Sequence, residues 1–280
     1  MKSIACTQNS LAPGGWAAAP CVPAWRASLV AKGAALIFCL LLPAAGRAQI
    51  DEIQVYTGEI NDPGQFSITL HNNYTVIGPT QPAFPGGIVP SHSLNGVPEY
   101  GLGITPWLEL GAYLPLYTLT RNGRFLIDGT KLRALFVSPN AAERSFFYGV
   151  NFELSYNARH WDEARYAMEI RPIVGWRFGP VDLVLNPIMD LPFHGGAKAL
   201  TFAPADRIAY NLSKTWALAI EHYADYGGFA NFEPLGQQSH ALFGVIDYNA
   251  DPFSVEFGVG HGFTTASEPL ILKLMLVRTF

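Results

Sequence analysis

From residue 66 to the end, this chain alternates apolar and polar residues with a period of two. Ile68, Leu70, Tyr74 and Val76 share one face, and Ser67, Thr69, His71, Asn73 and Thr75 the other. The same rhythm runs through 108–114 and 150–156. It returns at the C-terminus, where Leu270, Leu272, Leu274, Leu276 and Phe280 alternate with Ile271, Lys273, Met275 and Thr279. Such a period specifies strands with two unlike faces. After residue 48 no stretch approaches the roughly 20 apolar residues of a spanning helix. Yet 49% of the residues are apolar and only 14% charged, against roughly 25% charged in soluble domains. A chain this apolar, without spanning helices, can live in lipid by closing a sheet on itself so that every backbone group is paired.

Alternation alone also fits a β-sandwich, which needs one apolar face. Hairpin register separates the two, because directly opposed residues must face the same side. Around the Gly179-Pro180 turn, pairing Phe178 with Val181 sets Trp176 against Leu183, Val174 against Leu185 and Ile170 against Met189. The other face then opposes Arg177 to Asp182 and Glu169 to Asp190, with Arg171 one step away. Around Ser213-Lys214-Thr215, Tyr210 meets Leu218, Ile208 meets Ile220 and Arg207 meets Glu221. Around Pro106, Tyr100, Leu102, Ile104, Leu108 and Leu110 share the apolar face, and Glu99 and Glu109 lie among glycines on the polar one. One face is continuously aliphatic and aromatic; the other carries opposed charges and small residues. That is the inverted pattern of a barrel in lipid, apolar outside and polar inside.

Strands are expected near 66–78, 96–104, 107–118, 130–138, 146–157, 165–178, 181–192, 200–212, 215–226, 239–249, 252–263 and 269–280. Their connections alternate between tight and long, with 139–145 the exception. Short periplasmic turns, longer outer loops and an even strand count characterise outer-membrane barrels. The expected fold is therefore all-β: a transmembrane antiparallel up-and-down β-barrel of about twelve strands, ten to fourteen being compatible with the pattern. Trp107, Trp176, Trp216, Tyr156 and Phe280 suit interfacial girdles.

The first 48 residues hold all three cysteines and no Asp or Glu. Arg26 and Lys32 precede the apolar run Ala34–Leu42, and small residues end at Ala48. This reads as a cleaved signal peptide, 1–48. Residues 49–65 are expected to form a short periplasmic lead-in or a strand-like plug, and 66–280 the barrel. Without the leader, 14 basic residues face 22 acidic ones, a balance that excludes nucleic acid as a partner. No zinc spacing or phosphate loop is present, so no cofactor is expected.

Several stretches resemble a known family. They are His71-Asn72-Asn73-Tyr74; Glu99–Thr105 with Leu108-Glu109-Leu110-Gly111; Gly149–Leu154; Glu169-Ile170-Arg171-Pro172; Glu221–Asp225; and the closing Arg278-Thr279-Phe280. Together they resemble the outer-membrane barrels named after the meta-pathway of phenol degradation, over most of residues 66–280. The resemblance implies a transport protein of the bacterial outer membrane, without a settled substrate or catalytic residues. The terminal Phe280 resembles the signal read by the barrel assembly machinery, which with outer-membrane lipid is the expected partner.

The lumen-lining candidates are Glu99, Glu109, Lys131, Arg133, Glu153, Glu169, Arg171, Asp190, Arg207, Glu221, Glu256 and Lys273. They fit either a polar path for small molecules, aromatic or hydrophobic ones included, or an ion-pair network that fills a closed barrel. Twelve strands lie between filled eight-stranded barrels and open 16- to 18-stranded ones, so any pore should be narrow. The Glu169–Asp190 pair needs Arg171 or a proton between its like charges. An outer-membrane lipid-modifying enzyme is the alternative; Ser239-His240 and His71 are its candidate residues.

Overall fold

The computed structural model describes residues 52–280; the expected leader and its cleavage point lie outside them. Among the described residues no helix is long and apolar enough to cross a membrane.

The chain is built from β1 (Phe66–Ile77), β2 (Leu94–Thr105), β3 (Leu108–Leu119), β4 (Phe125–Val137), β5 (Phe146–Asn157), β6 (Tyr166–Phe178), β7 (Val181–Asn186), β8 (Met189–Pro192), β9 (Thr201–Phe202), β10 (Ala205–Asn211), β11 (Trp216–Asp225), β12 (Ser239–Ala250), β13 (Phe253–Gly262) and β14 (Leu270–Thr279). Sequential neighbours pair antiparallel, and β1 also pairs with β14, from Ser67↔Thr279 to Ile77↔Leu270. The sheet therefore closes, as lipid requires.

The fourteen segments form twelve strands. Val174↔Leu185 and Ile170↔Met189 belong to one unbroken register, and so do Asn186↔Ala205 and Met189↔Phe202. β7 with β8 is therefore one strand, and β9 with β10 the next. Each is interrupted where a proline, Pro187 or Pro204, cannot donate to the ladder. The expected continuous strands 181–192 and 200–212 are corrected to that extent.

Three hairpins take the register read from the sequence, including Arg177↔Asp182, Glu169↔Asp190, Arg207↔Glu221 and Leu102↔Leu110. β4 begins at Phe125, earlier than expected. Asp128 and Gly129 read as loop residues, but Asp128 is fully buried, accepting from Thr118 Oγ1 at 2.6 Å and contacting His160 Nε2 at 2.9 Å. The long turn 139–145 holds a single 3₁₀ turn, Ala141–Glu143.

Outward positions expose Leu102, Leu110, Leu132, Leu154, Ile208, Leu218, Ile220 and Phe257, among many others. This apolar wall is far larger than the few hundred Å² a soluble monomer tolerates. Trp107 lies against Phe136, Trp216 against Tyr248, and Phe280 against Phe66, all outside. The inside is not uniformly polar. Phe147, Ile173, Val184, Ile188 and Ala205 form one apolar cluster there, and Phe243, Val245 and Ile271 another. A third cluster joins Ile88 and Trp161 from outer loops to Val97, Tyr113 and Leu116.

Candidate functional site

All twelve sequence candidates fall on the inward face, in two groups. In the first, Arg133 Nη2 contacts Glu99 at 2.6 Å and also pairs with Glu109, while His71 Nε2 meets Glu99 at 2.9 Å. Across the wall, Glu153, Glu169 and Asp190 form a row of three directly opposed acids on β5, β6 and β8. Lys131 Nζ reaches Glu153 at 3.4 Å. Arg171 holds Glu169 with two hydrogen bonds, of 2.7 and 3.2 Å, so the base required between the like charges is present. In the second group, Arg207 pairs with Glu221 and Asp247 and lies 3.5 Å from Glu256. Lys273, 2% exposed, pairs with Glu221 and with Glu256 at 2.6 Å.

Between the two groups runs residue stretch 52–61. Asn61 N–H donates to Glu109 at 2.7 Å, and its side-chain amide donates to Ser67. Room for it comes from Gly103, where an added Cβ would sit 2.2 Å from the Asp62 carbonyl oxygen. Asn186 pairs with the Tyr56 backbone through both ends of its amide, accepting from N–H at 2.7 Å and donating to the carbonyl at 3.1 Å. Arg171 donates to the Gln54 carbonyl at 3.1 Å, and Lys273 to the Ile53 carbonyl at 3.4 Å. The side chains follow the inner lining: Ile53 joins the Phe243 cluster, and Val55 and Tyr56 join the Phe147 cluster. The lumen holds an extended peptide as a binding groove would.

Tyr56 is the centre of this arrangement. Its ring lies under Arg171, 4.4 Å from the guanidinium carbon, and 5.7 Å from that of Arg133. Its hydroxyl is 2.6 Å from Tyr113 Oη and donates to Glu153 at 3.3 Å. Two cations on the ring and a carboxylate on the hydroxyl form a site for a phenol. Burial, with Glu52 and Glu153 nearby, holds the Tyr56 phenol well above its usual pKa. Beside it the Glu52 carboxylate is buried with no hydrogen-bond partner on either oxygen, 3.5 Å from Arg171 Nη1. Burial raises its pKa, with Glu153 adding to the rise and Arg171 opposing it.

Tyr56, Glu52, Asn186 and Asp247 escape a reading of the sequence. Asp247 shares a face with Val245, alternating with outward Ile246 and Tyr248, so its inward position was available from the period. Tyr56 and Glu52 belong to no strand, and no local pattern places them in the lumen. The enzyme candidates are separated. Ser239 lies opposite Asp225 on β11, and His240 next to it faces the other side, opposite Ala224. His240 engages Gln238 and His222, and His71 engages Glu99, so no nucleophile–base pair forms from these residues. Among the described residues no group of three or more His, Cys, Asp or Glu could hold a metal.

No family model matches the chain, and no curated protein does. Solved structures do. The COG4313 outer membrane channel from Pseudomonas putida F1 superposes with a TM-score of 0.56 at 14% identity, covering 82% of this chain and 100% of that one. The KdgM porin in complex with disordered oligogalacturonate follows at 0.49 and 11%, covering 76% and 99%. LpxR from Salmonella typhimurium gives 0.42 and 8%, covering 76% and 100%. At 14% identity the likeness to the first of these speaks for the fold alone. With the apolar wall outside and the closed ladder, it makes the chain a twelve-stranded antiparallel β-barrel of the outer-membrane type.

Proposed function

We propose that this barrel is a narrow outer-membrane channel for small aromatic molecules, closed at rest by its own segment 52–61. The observation that carries the reading is the seat of Tyr56: a ring under two guanidinium groups, with its hydroxyl against Tyr113 and Glu153. A free phenol offers the same ring face and hydroxyl, and competes for that seat once the segment withdraws. Carboxylates outnumber bases in both lumen groups, which favours neutral or cationic aromatics over anionic ones.

The test is single-channel recording in planar bilayers of residues 49–280 and of the same chain lacking 52–61. The expected result is rare, small openings in the first and a steady, larger conductance in the second. Millimolar phenol should raise the opening frequency of the first only. A silent deletion variant that is correctly inserted would overturn the channel reading; indifference to phenol would overturn the aromatic cargo.

A further inference from the structure

The outer loops divide by charge. Three consecutive ones, 120–124, 158–165 and 193–200, carry Arg121, Arg124, Arg159, Arg165 and Lys198. The other three, 78–93, 226–238 and 263–269, contain no lysine or arginine and carry Glu233 and Glu268. Closure makes each set contiguous, so one half of the outer rim is basic and the other acidic. The acids within the basic half are exposed Glu163 and Asp162, whose carboxylate accepts from Ala164 N–H at 2.7 Å.

The five basic side chains are exposed and, unlike the lumen bases, none of them has an ion pair or side-chain hydrogen bond among the described residues. Arg165 is nonetheless positioned. Its guanidinium carbon lies 5.4 Å from the centre of the Tyr156 ring, and Tyr156 faces outward beside Tyr166, ring to ring at 5.4 Å. A ring beside a guanidinium holds it in place and leaves its N–H edge free for an anion. Height places the pair relative to the membrane. Tyr156 stands ten residues along β5 from Phe146, whose ring packs on Trp176 at the periplasmic end. Ten residues of a strand tilted by about 40° rise about 25 Å, the height of the apolar band. Arg159 and Arg165, just beyond that strand end, therefore lie where hydrocarbon gives way to headgroups. β4 pairs with β5 only up to Gly129↔Asn157, so 125–128 and the turn carrying Arg121 and Arg124 rise above that level. Below it, Leu132, Leu154 and Tyr166 are exposed on the outer wall.

We propose that this half of the rim binds the phosphorylated glycolipid of the outer leaflet. Its acyl chains lie on the wall below Tyr156 and Tyr166, and its sugar phosphates are taken by Arg159 and Arg165, flanked by Arg121, Arg124 and Lys198. Two features select this occupant over a soluble anion. The unpaired bases stand directly above an apolar wall, which only an acylated anion can use. Guanidinium forks also match phosphate oxygens two at a time, and a cluster of bases at a membrane surface attracts anionic headgroups. Guanidinium groups can thus neutralise these phosphates without a bridging divalent cation. The Arg165–Tyr156 surface faces away from the lumen, so the proposal is independent of the channel reading.

The test uses the full chain produced in a Gram-negative host, extracted in mild detergent, freed of lipid and kept in EDTA. Binding of bisphosphorylated lipid A is read by native mass spectrometry, with at least one lipid A per barrel as the expected result. Arg159→Gln/Arg165→Gln should weaken binding at least tenfold, and Arg159→Lys/Arg165→Lys should recover part of the loss. Lipid A stripped of both phosphates should bind the parent about as weakly as intact lipid A binds the glutamine pair. Equal affinity of the parent and the glutamine pair would overturn the proposal, as would equal binding of the stripped lipid. A deacylated disaccharide bisphosphate that binds as tightly as lipid A would make the occupant a soluble anion and overturn the lipid assignment. Should the glutamine pair fail to assemble, Arg121→Gln/Arg159→Gln removes no ring contact and should weaken binding at least threefold; unchanged affinity there overturns the proposal.

Discussion

At the scale of single residues, the lumen is held by charges that cannot be removed one at a time. Lys273 lies between Glu221 and Glu256 and is nearly inaccessible. Neutralising one partner of such a group leaves buried charge uncompensated, which costs about 3–5 kcal/mol. Lys273→Met should lower the stability of the folded barrel by that order in urea unfolding from vesicles. Lys273→Met combined with Glu221→Gln should recover part of the loss; an equally damaging double variant would contradict the pairing. Arg207 has a similar position among three carboxylates, so the two bases together stiffen the β10–β14 side.

The element with the least internal support is segment 52–61, which forms no strand and is held only by what the wall offers it. Its Glu52 carboxyl is buried and its pKa is raised. The docked segment therefore binds a proton more tightly than the free one. Docking is fully favoured below the ordinary carboxylate range, weakens as pH rises through the window up to the raised docked value, and levels off above it. The weakening reaches at most tenfold per pH unit within that window. Opening frequency should accordingly rise with pH. Glu52→Gln should hold the segment in place across the range and flatten the dependence. A Glu52→Gln channel with the parent's pH profile would show that another group controls docking.

At the scale of the whole molecule, closure brings the twelve residues read from the sequence together with Asp247, a set of eight carboxylates and five bases, around one lumen. This field acts on any ion inside and is weakened by salt. With 52–61 deleted, the reversal potential across a potassium chloride gradient should show preference for potassium, growing as the salt is diluted. A chloride preference would mean that Lys131, Arg133 and Arg171 outweigh the acids along the permeation path.

The sequence by itself determined which residues face in and which face out. A period of two is a local property of extended backbone, and each tight turn propagates register along its own hairpin. That is why Arg207 opposite Glu221 and Glu169 opposite Asp190 were legible without coordinates. The same reasoning missed the interruptions at Pro187 and Pro204, because the period of side-chain faces runs through a proline even where its missing donor breaks the ladder. Tertiary structure alone decided what meets across the lumen: Lys273 with Glu221, Arg207 with Asp247, and Tyr56 beneath Arg171 and Arg133. Those contacts are chords of a closed barrel. Their partners are set by how many strands close the wall and with what stagger, quantities that no single strand encodes.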